Sequence, residues 1–304
     1  MRKTLLRAAV SLALIAWILR GTDLREVWAA FRTADVRYVL LAIALIPFGY
    51  FFSVSRWRTL LRAQGGDATY PFLYRSLLTG IFFNNFLPST IGGDAIRAWD
   101  TARSGVGKAT ALTIILVDRF VGLLALLLFA AVGLLGAGRL AERVPDLALW
   151  VLGVGAVMVA VAVVLFLPNR IKAPPLAALF AFRGHTRALA GAFFWSLCLQ
   201  ALVVLNAWVL ARALHVELGL APFFLIVPLA VFLMMVPVSI NGIGVRENLF
   251  VFFLASFGVA EATGLAFAWL DYGLVLLQAL AGGLVYAAGR ERVVRTAETA
   301  EVAP

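Results

Sequence analysis

Long apolar stretches without a single ionisable residue constrain this chain before anything else. They cover residues 8–19, 38–55, 76–93, 120–138, 147–169, 188–211, 218–245, 248–260 and 272–289. A helix crosses the hydrocarbon core with about 20 apolar residues. In lipid the backbone must satisfy its own N–H and C=O groups, and a helix does so within one segment. Composition closes the water-soluble alternative. Hydrophobic residues make up 63% of the chain and charged residues 14%, against about 25% charged in a soluble domain. A cytosolic enzyme, a secreted domain and a disordered chain are thereby excluded. An all-α polytopic membrane protein remains.

The net charge of +10 does not point to nucleic acid, because no basic run is interleaved with aromatics. The arginines fall between apolar stretches, where they set topology and meet anionic headgroups. Cys198 is the single cysteine, which excludes intrachain disulfides, and His185 and His215 stand 30 residues apart with no nearby carboxylate pattern. No metal site is expected. The first stretch follows Met1-Arg2-Lys3, as a signal peptide would, but Ile18-Leu19-Arg20-Gly21 is not a small-x-small cleavage site. It reads as a first span extended back through Leu5 and a snorkelling Arg7.

Two stretches are broken. One carries Asn84-Asn85, Pro88 and Gly92-Gly93; the other carries Pro222, Pro228, Pro237, Asn241, Gly242 and Gly244. Backbone groups freed by such breaks are tolerated only inside protein or against a watery cavity. Each segment is therefore predicted to enter the membrane part way and return, the alternative being a kinked full span. With the N-terminus in the cytoplasm and both hairpins returning to their own side, cytoplasmic segments hold 17 Lys/Arg and external ones 8, the expected bias. The prediction is six full spans and two re-entrant helical hairpins, seven or eight apolar segments in all. Both termini lie on the cytoplasmic side of the cell membrane. Residues 1–289 form one transmembrane domain, and residues 290–304 form a short charged tail.

The broken segments match each other. Pro88-Ser89-Thr90-Ile91-Gly92-Gly93-Asp94-Ala95-Ile96-Arg97 and Pro237-Val238-Ser239-Ile240-Asn241-Gly242-Ile243-Gly244-Val245-Arg246 both fit P-x-[ST]-I-x-G-x-x-[IV]-R. Downstream, Gly105-Val106, Ala109-Thr110, Leu112 and Asp118 correspond to Gly258-Val259, Ala262-Thr263, Leu265 and Asp271. Pro, Gly, Arg and Asp are scarce in membrane segments, so their matched spacing indicates an internal duplication with halves at about 1–138 and 147–289. Three crossings per half turn the second half upside down, the inverted-repeat plan of many secondary transporters.

Hairpin tips expose backbone N–H groups, and Thr90, Ser89 and Ser239 add donors. Arg97 and Arg246 each follow the tip proline by nine residues. Helix N-termini with arginine forks suit phosphate, so one anion site per half is one reading; arginines that merely anchor each hairpin are the other. Asp118, Arg119 and Asp271 lie in apolar helices, where ionisable groups face a partner or a cavity. Asp118 with Arg97 and Asp271 with Arg246 are the natural pairs, and such pairing is mainly structural. Asp94 and Glu247 are further polar groups at the hairpin ends, and Asn84 and Asn85 can satisfy freed backbone. Pro88, Gly92, Gly93, Pro237, Gly242 and Gly244 make the turns. No catalytic residue and no cofactor site is predicted: G-x-S-x-G, Walker and H-E-x-x-H patterns are absent from the sequence.

Phe83-Asn84-Asn85-Phe86-Leu87-Pro88 with Gly92-Gly93-Asp94-Ala95-Ile96-Arg97 resembles the first signature of the flippase-like membrane domain. That domain is the transmembrane part of lysylphosphatidylglycerol synthases and also occurs in stand-alone relatives. Gly242-Ile243-Gly244-Val245-Arg246-Glu247 after Pro237 resembles the second signature, and Asp118-Arg119 fits a charged position followed by Arg. The resemblance runs from about Leu5 to Gly289. It implies translocation of a phosphate-bearing lipid or lipid-linked intermediate between leaflets, without the synthase chemistry. The implied partner is a membrane lipid with an anionic or phosphate-containing headgroup; a lipid-synthesis enzyme and a second copy of the chain are further candidates. A membrane-embedded enzyme of lipid-linked sugar or phosphate transfer, or a non-catalytic partner of one, is the alternative.

The duplication predicts hairpin tips that face opposite sides of the membrane. Single cysteines beside each tip, in a Cys198→Ala background, should react with an impermeant thiol reagent from opposite faces. Labelling of both from one face would end the inverted arrangement.

Overall fold

The computed structural model describes residues 14–20, 22–86, 92–136, 140, 144, 146–166, 179–235, 239 and 242–301, and the regular elements among them are all helical. Residues 14–20 form a helical stretch. The helices are α1 (Leu24–Thr33), α2 (Val36–Ala63), α3 (Tyr70–Phe86), α4 (Gly92–Ala102), α5 (Lys108–Gly133), α6 (Leu147–Phe166), α7 (Thr186–Ala213), α8 (Phe223–Met234), α9 (Val245–Ser256) and α10 (Glu261–Glu301). Single helical turns cover Leu134–Gly136 and Leu179–Phe182. Asp23 starts α1 by accepting the Arg25 N–H at 2.8 Å, and Asp35 starts α2 by accepting the Arg37 N–H at 2.9 Å. Side-chain oxygens at these positions satisfy N–H groups that a helix leaves open. In the α2–α3 loop, hydrogen bonding to Arg62, with a backbone N–H and Arg58 adding to it, holds the Asp67 carboxyl down to about 2.

Among the described residues, five helices are long and apolar enough to cross a membrane: Val36–Ala63, Lys108–Gly133, Leu147–Val164, Thr186–Ala213 and Glu261–Ala288. Most of the predicted first span lies outside the described residues. The hairpin helices are shorter. α4 has 11 residues and α8 and α9 have 12 each, about 17–18 Å at about 1.5 Å per residue, well short of the roughly 30 Å hydrocarbon core. Even α3, with 17 residues, reaches only about 26 Å. The tips carrying Pro88, Ser89, Thr90, Pro237 and Asn241 fall outside the described residues. α10 runs as one helix from Glu261 through Glu301.

Packing comes in matched pairs. α2 lies along α7. The first helix of each hairpin packs on the long helix of the other half, α3 on α10 and α8 on α5, while the second helix packs on its own half's, α4 on α5 and α9 on α10. Both cross-half contacts close on a glycine. A Cβ on Gly282 would stand 2.1 Å from the Leu78 carbonyl oxygen, and one on Gly133 would stand 2.5 Å from the Leu225 nitrogen. Small residues permit this approach in the absence of a hydrophobic drive between helices in lipid.

The hairpin glycines serve two different needs. Gly242 and Gly244 have φ of +75° and +83°, a region that a side chain disfavours by about 1–2 kcal/mol. Gly93 instead sits against α3, where a Cβ would meet the Gly80 carbonyl oxygen at 2.3 Å. Gly93→Ala should therefore cost more folded yield and melting temperature in detergent than Gly242→Ala. Gly153→Ala, with no heavy atom within 4 Å, should raise stability by up to about 1 kcal/mol through helix propensity. Equal melting of Gly93→Ala and Gly153→Ala would remove the close-approach argument.

Candidate functional site

The first hairpin brings the predicted pair together and adds a third member. The Asp118 side chain, on α5, is fully buried. Arg56 of α2 grips it with a fork, Nε donating to Oδ1 at 2.6 Å and Nη2 to Oδ2 at 3.0 Å. Arg97 of α4 donates through Nη2 to Oδ2 at 3.1 Å. The remaining Arg56 edge donates through Nη1 to Ser196 Oγ on α7 at 3.1 Å, and Ser196 donates on to the Ala192 carbonyl at 3.0 Å. One carboxylate thus ties α2, α4, α5 and α7. Two arginines on one carboxylate leave an excess of positive charge, which a low-dielectric site cannot carry unpaired without a large desolvation cost.

Aromatic and hydroxyl groups fix the plane of Arg97. Its guanidinium lies 4.5 Å over the Trp57 ring, a favourable placement for a cation. Trp57 Nε1 donates to Thr101 Oγ1 at 3.0 Å, and Thr101 donates to the Arg97 carbonyl at 2.7 Å. Arg97 Nη1 stands 3.9 Å from Asp94 Oδ1, while Arg119 binds Asp94 Oδ2 through Nε and Nη2. Among the described residues, Arg97 Nε is buried with no hydrogen-bond partner. A cavity of about 270 Å³ opens against these groups, lined by Arg56, Asp94, Arg97, Asp118 and Arg119 and by Asn84, Gln200, Val231 and Met235. It lies between the first hairpin, α5, α7 and the first helix of the second hairpin.

The second half is looser. Arg246 Nη1 lies 3.8 Å from Asp271 Oδ2, with 30% of the Asp271 side chain exposed. The Arg246 guanidinium lies 4.7 Å over the Tyr272 ring, and its Nε and Nη1 are buried without a hydrogen-bond partner among the described residues. Among the described residues, no arginine closes a fork on Asp271. α2 and α7 are both 28 residues long, and aligning their first residues sets Asn206 opposite Arg56. Asn206 Nδ2 donates to the Ala42 carbonyl of α2 at 2.8 Å instead.

Several predicted site residues are accounted for by structure alone. Glu247 is buried and accepts the Gly244 N–H at 2.7 Å, closing the start of α9. Asn84 Oδ1 accepts the Gly93 N–H at 2.8 Å, a donor that the start of α4 leaves open, while Asn85 Nδ2 donates to the Ile81 carbonyl within α3 at 2.9 Å. Ser239 is half-buried in the loop between α8 and α9. Pro88, Thr90 and Pro237 lie outside the described residues. Arg246 and Asp271 do not line the polar cavity.

Sequence reasoning missed Arg56. It sits where an apolar run ends and was counted, with Arg97, among the cytoplasmic loop charges. Both are in helices and both are buried at 8% exposure, so two of the 17 positive charges belong to a buried cluster rather than to the topology signal. The available signal was Arg56-Trp57-Arg58 within a helix that continues to Ala63. Ser196 and Gln200 carried no signal, since scattered uncharged polar residues among the apolar ones of α7 form no pattern.

Residues 4–282 match the family described as the lysylphosphatidylglycerol synthase TM region. The UPF0104 membrane protein PH1989 of Pyrococcus horikoshii is 25% identical over 131 residues, 42% of this chain and 38% of the relative. A UPF0104 membrane protein of Methanothermobacter thermautotrophicus is 29% identical over 143 residues, 46% of this chain and 41% of the relative. The chain thus covers about two fifths of the length of these curated relatives.

Asp118 and Asp271 should respond differently to neutralisation. Asp118→Asn strands two buried arginines and should cost about 3–5 kcal/mol, the usual cost of breaking a buried ion pair. Asp271→Asn removes a single 3.8 Å contact to one arginine that has no fork on it and should cost less than Asp118→Asn. Melting in detergent checks this; equal losses would mean that the three-residue cluster does not hold the hairpin.

Proposed function

The chain belongs to the lysylphosphatidylglycerol synthase transmembrane-region family, and we propose that it moves a phosphate-bearing lipid or lipid-linked intermediate between leaflets. One observation carries this reading: a polar cavity within an otherwise apolar helical body, walled by three arginines and the first hairpin. Ionisable groups at membrane depth are costly and mark paths for polar cargo. A lipid headgroup is the polar cargo that such a body meets at every face.

The supporting features are physical. Arg97 Nε offers a buried donor with no partner, and an anionic oxygen is its natural acceptor. The paired cross-half packing supports an inverted pair of hairpins able to open toward either leaflet in turn. On this reading Asp118 is a fixed counter-charge, since both of its oxygens are engaged. Asp271 is the carboxylate left free to change partner. The broken helices supply the donors, and the long helices α5 and α10 supply the frame on which each hairpin moves.

Leaflet-resolved accessibility of headgroup-labelled lipids in proteoliposomes tests the reading. The wild type should exchange a phosphate-bearing lipid well above the protein-free rate. Arg97→Lys should keep its fold, checked by melting, and lose more than about tenfold of the rate, because an ammonium has no planar fork. Arg246→Lys should be impaired more strongly from the opposite leaflet. Exchange at the protein-free rate would sink the transport reading. Appearance of a chemically altered lipid would replace it with an enzyme, and wild-type rates in both Lys variants would return these arginines to anchoring.

A further inference from the structure

We infer that the polar cavity and an apolar pocket beside it form one amphiphile site, matched to a lipid whose headgroup is a phosphodiester with a single negative charge. The inference rests on the lipid-translocation reading and narrows it to a charge class and a chain-bearing ligand.

The charge argument comes from the ionisable groups lining the cavity. Arg56 enters from α2, Asp94 and Arg97 from α4, and Asp118 and Arg119 from α5. The α3, α7 and α8 walls contribute no ionisable group to the lining, only Asn84 and Gln200 among their polar residues. Three arginines against two aspartates leave one positive charge. Arg56 does not carry it outward, because its Nε, Nη1 and Nη2 are all bonded. The excess lies with Arg97, whose Nε has no partner, and with Arg119, 43% exposed and held on a single oxygen of Asp94. One monoanion neutralises this site. A phosphomonoester, carrying about 1.5–2 negative charges near neutral pH, would leave unbalanced negative charge in a medium where it is expensive.

The chain argument comes from adjacency. An apolar pocket of about 370 Å³ lies among α5, α6, α8 and α9. Leu126 lines both cavities. On α8, Val231 lines the polar cavity while Leu229 and Phe232 line the apolar pocket. A ligand with its phosphate at Arg97 and Arg119 therefore has an apolar pocket beginning at the same wall, across Leu126. Inorganic phosphate or a free phosphodiester would fill only the first part.

Binding to the purified full chain in detergent, followed by tryptophan fluorescence, tests both halves. Dihexanoyl phosphatidylmethanol and dihexanoyl phosphatidic acid differ only by one methyl group and the charge that it removes. Near pH 7.5 the diester should bind about tenfold tighter or more, the order expected for one unbalanced charge in a partly desolvated site. Below about pH 6 the monoester loses its second charge, and the gap should close. Arg119→Gln, which leaves the lining neutral, should weaken the diester and bring zwitterionic dihexanoyl phosphatidylcholine to parity with it. Leu229→Trp should weaken the lipid diester but not dimethyl phosphate.

Equal or tighter binding of the monoester near pH 7.5 overturns the charge match. Dimethyl phosphate binding as tightly as the lipid diester overturns the shared chain pocket. Lipid exchange in proteoliposomes that proceeds without discriminating the two lipids sinks this inference and leaves the translocation reading standing. Selective binding without any exchange does the reverse.

Discussion

The cost of holding charge at membrane depth governs this structure. Asp118 can be fully buried because Arg56 closes a fork on it and Arg97 shares one of its oxygens. Each arginine is in turn tolerated because something takes the rest of its edge: Ser196 for Arg56, and the Trp57 face for Arg97. Remove the carboxylate and two cations are left in a low-dielectric interior, which is why a single residue couples α2, α4, α5 and α7. The first hairpin depends on that coupling for its position, with α4 too short to be held by spanning the bilayer itself.

The second half repeats the packing without repeating the cluster. α8 crosses α5 much as α3 crosses α10, each at a glycine that admits backbone. Yet α7 offers Asn206 where α2 offers Arg56, and among the described residues Asp271 is paired with Arg246 alone, at 3.8 Å. Two hairpins on related frames thus differ in how firmly they are tied. Under the transport reading, the tightly bonded half serves as the reference against which the looser half moves.

Polar and apolar space are adjacent for a related reason. The hairpin helices α4, α8 and α9 are too short to span, so the helices around them enclose polar volume among otherwise apolar walls. The neighbouring walls of α5 and α8 remain those of membrane helices, lined by Leu and Phe. A ligand that is charged at one end and apolar along its length suits that boundary better than a wholly polar one.

The helical membrane class, the long spans and the position of both breaks follow from the sequence alone. Charge-free runs of spanning length have one solution in lipid, and a proline followed by clustered glycines favours a break there. The Arg97–Asp118 and Arg246–Asp271 pairs were legible for the same reason, since a scarce charge at depth seeks the nearest opposite one. Glu247 read as a site residue because sequence does not distinguish a carboxylate that closes a helix start from one that faces a ligand. Arg56 was hidden at the end of an apolar run, where a loop cation and a buried one look alike. Only tertiary structure decided that α2 continues past it, that α7 brings Ser196 to its free edge, and that the two halves hold their carboxylates so differently. Pair geometry depends on helix rotation and crossing, which are set by packing among side chains far apart in the chain and leave no local pattern to read.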